Sequence, residues 1–246
     1  MIVKKSPQGH HIIYQAAHGL LAGKIAQQLK RKYRPKLWLE TLIAIVEHDD
    51  LQLNFKDNNY LSDIGMPKDF TEDKQNSSMI LKRLKRIMSH ANSKSSWTTL
   101  LVSFHIEYLY RSVKDQSKGL KDFLKNQEQL RNKILKEHNT SKTEAYSIYQ
   151  VLLFCDRLSL ILCKNEIPDA GRKIEINTSI DNKTYFLHQK DNGIVTVEPW
   201  CFEQNKFEIS IEEIILKQTK FNDQNELKEA LEAANKSKIS WNIEKQ

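Results

Sequence analysis

Apolar residues recur along this chain in two rhythms, and the change from one to the other divides it. From Gln15 to about Tyr33, and again over 35–50, 74–91, 95–113, 118–136 and 142–163, they return every three or four positions, the spacing that gathers one face of a helix. After Pro168 they alternate instead, in KIEINTSI, KTYFLHQK, GIVTVEP and KFEISI, short β-branched and aromatic runs separated by Asp-Asn, Asp-Asn-Gly and Gln-Asn turns. This predicts a small antiparallel sheet, followed by a helix near 224–234 and a last strand, ISWNI.

Ahead of Gln15, Ile2–Lys5 and His11–Tyr14 flank Ser6-Pro7-Gln8-Gly9, a hairpin signal. Two or three strands are marginal alone, so this hairpin is a candidate to join the C-terminal sheet. The expected fold is therefore mainly α. It comprises an N-terminal β-hairpin over 1–14, a helical domain over 15–167, and a small β unit with a C-terminal helix over 168–246, packed as one globular body. Ser141 and Glu144 have capping-box spacing and fix the start of the last long helix. Gly19, Ala22, Gly23 and Ala26 share one face of the first helix and allow a second helix to approach closely. The stretch 51–70, with Asp57-Asn58-Asn59, Gly65 and Pro67, reads as an irregular loop of the kind that covers a site.

Composition narrows the classes. Seven glycines and five prolines among 246 residues are too few for a collagenous, linker-rich or turn-dense all-β chain, and a 39% hydrophobic share suffices for one substantial core. The N-terminus lacks an apolar run of signal-peptide length, and the longest apolar run, VLLFCDRLSLILC, is broken by Asp156 and Arg157. A cytoplasmic protein with no membrane span is expected. Cys155 and Cys163, eight residues apart on one helix, are separated by about 12 Å along its axis. With Cys201 as an odd third and no CxxC spacing, reduced thiols are expected. The absence of GxSxG, P-loop and GxGxxG motifs removes the common serine-hydrolase and nucleotide-fold readings. The net charge of +7 admits an anionic partner. The basic positions Lys82, Arg83, Lys85 and Arg86 read first as a solvated helix face and only second as a nucleic-acid surface.

The chemistry concentrates in LIAIVEHDD, where an apolar helix ends in Glu47, His48, Asp49 and Asp50. A helix C-terminus carries partial negative charge, so these carboxylates call for a nearby cation, either a divalent metal or a basic side chain from another helix. One helix end cannot complete a metal site. His18 lies beside the small-residue face of the preceding helix, and Asp156 interrupts an apolar run where an ionised carboxylate needs a partner: a metal, Arg157 or another base. His105, on the apolar helix LLVSFHIEYLYR, is either a satisfied core histidine or a group facing the same cavity.

The stretches HGLLAGKIAQQL, LIAIVEHDD and LLFCDRLSL resemble three helices of the HD-domain superfamily of metal-dependent phosphohydrolases. Through YQAAHGLLAGKIA, AIVEHDD, LLVSFHIEYLYR, CDRLSL and TVEPWCF the whole chain resembles an uncharacterised bacterial family allied to that superfamily. The resemblance implies an HD-like helical bundle and a metal set of His18, His48, Asp49 and Asp156. Such imidazole and carboxylate donors suit Mn, Fe, Co, Ni or Zn. It also implies hydrolysis of a nucleotide or other small phosphoester, with Asp49 orienting the attacking water and His105 or Arg157 meeting the developing charge. The competing expectation is a non-catalytic ligand-binding or interaction module that keeps the same helices.

Overall fold

The structure, a computed structural model, describes residues 1–49, 55–56, 59–70, 77–113 and 116–246. Asp50, residues 51–54 and 57–58 of the expected 51–70 loop, and the first residues of the helix expected from 74 lie outside them. Strands β1 (Ile2–Ser6) and β2 (Gly9–Ile13) form a hairpin turned by Pro7 and Gln8. Gly9 has φ +124°, and a Cβ there would meet the Leu216 carbonyl. Helices α1 (Gln15–Gln28), α2 (Trp38–Glu47), α3 (Ser77–Asn92), α4 (Ser96–Tyr110), α5 (Lys118–Glu137) and α6 (Lys142–Lys164) follow. Then come β3 (Ile174–Thr178), β4 (Thr184–Gln189), β5 (Val195–Glu198) and β6 (Lys206–Leu216), and α7 (Gln224–Ala233) leads to β7 (Lys236–Glu244).

The expectation of a mainly α, HD-like bundle with a small antiparallel sheet is overturned. The strands make one curled, seven-stranded mixed sheet in the order β1-β2-β6-β7-β5-β4-β3. Two physical facts hid it. The alternation of KFEISI breaks at Glu212-Glu213, yet β6 runs on to Leu216, because Glu212 pairs outward with Lys236 (3.1 Å) while Glu213 hydrogen-bonds His11 (3.0 Å) and pairs with Lys4 (3.5 Å). The β5–β7 pair is parallel, joining Val195 to Ile243, and a partner so distant leaves no trace in local alternation. With β2 on one side of β6 and β7 on the other, the hairpin and the C-terminal strands share one sheet.

Helices and sheet enclose one continuous core, with a smaller apolar cluster beneath α7. At its centre lies α6, capped by the Ser141 hydroxyl, which accepts from the Glu144 amide (3.1 Å). Among the described residues α6 is the one helix long and apolar enough to cross a membrane, and 67% of its apolar window is buried inside the protein, so it is a core helix here. The α1–α2 contact is unusually close: a Cβ on Gly19 would lie 2.1 Å from the Val46 carbonyl oxygen, and one on Gly23 2.4 Å from the Val46 side chain. Only glycine permits this approach, and it is the approach that sets His18 beside the residues following Val46.

Candidate metal centre

Four helices each bring part of the site. α1 carries His18, the C-terminal end of α2 carries His48 and Asp49, α4 carries His105 and α6 carries Asp156, all five being buried. His18 Nε2 and His48 Nε2 each lie 3.1 Å from the same oxygen, Asp156 Oδ1. Asp49 Oδ2 is 3.7 Å from His48 Nε2. The rings of His18 and His48 meet edge to face at 5.3 Å, and those of His48 and His105 at 4.9 Å.

The outer nitrogens decide what the inner ones can do. His48 Nδ1–H donates to the Ile45 carbonyl (2.7 Å). Ser159 donates its one proton to the Asp156 carbonyl (2.8 Å), so it must accept from His18 Nδ1–H, also at 2.8 Å. In the neutral rings both Nε2 lone pairs therefore converge on a carboxylate oxygen, an arrangement that needs either a proton on each nitrogen or one shared cation. For metal–ligand bonds near 2.1 Å, neighbouring donors in an octahedral shell are separated by about 3.0 Å. The observed 3.1 Å spacings fit a transition-metal ion. His18, His48 and Asp156 form one potential ligand group, and His48, Asp49 and His105 a second, with ligand atoms within 4.8 Å of one another. Since His48 Nδ1 is committed to Ile45, Nε2 is the atom the two groups share.

The electrostatics follow from burial and proximity. Burial alone would lower the His48 pKa, but the Asp49 and Asp156 carboxylates outweigh it and raise the value to about 10. Asp156 is pushed upward by burial, yet its neighbours His48 and His18 hold it well below the usual carboxylate range. Burial and the adjacent His48 lower His105 to about 4, leaving it neutral. Asp49 (8% exposed) and Asp156 (7%) are slightly more exposed than the three histidines (0–2%).

The other expected groups fall elsewhere. Arg157 pairs with Glu166 (3.7 Å) just beyond the end of α6, a half-exposed ion pair. Glu47 pairs with Lys94 and lies 3.7 Å from His90, so a basic partner answers that carboxylate while Asp49 faces the histidines. Asp50 is outside the described residues. Sequence reasoning missed Ser159 and Tyr149, whose hydroxyl lies 3.4 Å from His105 Nδ1. A hydroxyl three residues after Asp156 in an apolar helix was the available signal for Ser159. On the basic helix α3, Arg83 donates to the Tyr110 hydroxyl, so that side chain already has an internal partner.

Residues 1–218 match the family described as "Protein of unknown function (DUF3891)". The chain belongs to this family. The matched span includes all five residues of the DUF3891 chain's candidate centre. No curated protein and no solved structure matches the chain.

Proposed function

We propose that this DUF3891 member binds one divalent transition metal through His18, His48, Asp49 and Asp156 and hydrolyses a small phosphoester. The observation that carries the reading is the convergence of two imidazole nitrogens on one Asp156 oxygen, with both opposite nitrogens tied to Ile45 and Ser159. The order of these residues along the chain resembles the metal set of the HD-domain superfamily, while the fold, with its seven-stranded mixed sheet, is not that superfamily's helical bundle. When bound, such an ion polarises a phosphoryl oxygen and makes water a better nucleophile. In this reading Asp49 would orient that water. His105, held neutral by burial and the adjacent His48, would donate a hydrogen bond to the developing negative charge. Three buried free thiols suit a reducing cytoplasm.

One observation favours a second reading. The raised His48 pKa means that an imidazolium satisfies Asp156 without any ion, as in a non-catalytic module with a polar core cluster. The test is turnover by protein reconstituted with Mn, Fe, Co, Ni or Zn, using p-nitrophenyl phosphate, its diester and nucleotides. The proposal expects hydrolysis that a chelator abolishes and that His105→Ala slows by about 100-fold. Stoichiometric metal with no turnover on any phosphoester would contradict the enzymatic part.

A further inference from the structure

A second cleft, of about 460 Å³, opens on a different face of α6. It lies between the turn Arg31–Tyr33 with its following residues, the first turns of α6 and the turn Ile180–Asn182. Gln150 precedes Asp156 by six residues, which places it roughly 120° around the helix from the metal-facing side. The cleft is therefore separate from the candidate metal centre, and what it binds does not depend on that centre.

Its chemistry is unfinished. Ser179 lines it and is 3% exposed, yet among the described residues its hydroxyl has no hydrogen-bond partner. The Gln150 amide oxygen is likewise buried and unpartnered. Buried polar atoms without partners cost stability, and two of them in one cleft call for a ligand that completes them. The turn beside them is strained as well, with Asp181 and Asn182 both left-handed at φ 55° and 54° although neither is glycine.

The lining also restricts the ligand. Tyr33, Tyr146, Pro35, Val151 and Ile180 supply aromatic and apolar walls. The charged groups answer one another or the backbone: Asp181 accepts from the Tyr33 hydroxyl (3.1 Å) and lies 3.7 Å from Lys32, while Arg34 donates to the carbonyls of Leu29 and Gln27. We propose that this cleft binds a small, uncharged, planar nitrogen heterocycle, whose ring packs on the tyrosine and aliphatic walls and whose donor and acceptor edge, of the nucleobase kind, pairs with Gln150 and Ser179.

The test is ligand-observed NMR and calorimetry on the full chain with adenosine, cytidine and nicotinamide, and with AMP as an anionic comparison. At least one uncharged probe should bind saturably and no more weakly than AMP. Gln150→Leu and Ser179→Ala should each weaken it at least tenfold while Tm holds or rises, because each removes an orphaned polar atom, and metal content should be unchanged. Should a buried variant fail to fold, Tyr146→Ala, at a position 42% exposed, gives the same reading through loss of the ring contact. Failure of all three uncharged probes, tighter binding of AMP than of adenosine, or binding indifferent to the variants would overturn the proposal.

Discussion

Histidines are buried in both halves of this molecule, and the two halves treat them differently. In the sheet, His10 and His11 are successive strand residues and point to opposite faces. His10 meets the Thr219 carbonyl (3.0 Å) and His11 meets Glu213 (3.0 Å), while His10 Nδ1 and His188 Nδ1 have no partner. In the helical half, His18, His48 and His105 come from three helices onto a shared pair of carboxylates, with outer nitrogens held and inner ones turned toward each other. Burial is common to His10, His188 and the three helical histidines, while His11 is half-buried. Convergence of lone pairs on one point belongs to the helical set alone, and that is the feature a metal requires.

The comparison breaks most readily at the α1–α2 contact. Gly19→Ala puts a Cβ against the Val46 carbonyl and forces the helices apart, so we expect a loss of about 1–3 kcal/mol in chemical denaturation and a marked fall in metal affinity measured on the folded fraction. Ser159→Ala leaves the helix intact but frees the His18 ring, and metal affinity by competition with a chromophoric chelator should fall about 10–100-fold with the fold unchanged by circular dichroism.

The pH dependence has a definite sign. In metal-free protein the folded His48 pKa, about 10, stands above its ordinary value of 6.5. Its proton contributes stability fully below pH about 6.5, and the contribution is lost as pH rises through about 10. The same proton competes with the metal. Affinity should therefore rise with pH between those limits, and metal uptake in weakly buffered solution should release protons. The smallest effect is expected from the sheet: His188→Leu removes an unpartnered ring nitrogen, so metal content should be unchanged and stability unchanged or up by about 1 kcal/mol.

How much of this was legible from the sequence depended on whether a signal was local. The glycine face of α1 and the Ser141 cap are properties of a few neighbouring residues, and both are found where the spacing put them. The cluster of His18, His48, Asp49 and Asp156 was legible as an ordered set because each member sits in a marked helical context. The sheet was underread, since β6 passes through a glutamate pair that only tertiary partners engage and β7 pairs in parallel with a distant strand. Arg157 follows Asp156 in sequence yet pairs with Glu166, because successive helical residues point about 100° apart around the axis. The Ser179 cleft left no sequence trace, since its orphaned atoms are defined by what fails to face them.

The central claim is that His18, His48, Asp49 and Asp156 together hold a metal. Elemental analysis of protein purified without chelator or affinity tag, beside a His48→Ala, Asp49→Ala double variant verified as folded, tests it most directly. The account predicts close to one Mn, Fe, Co, Ni or Zn per chain in the natural protein and almost none in the variant. Metal absent from both after incubation with these ions, or retained equally by both, would contradict it.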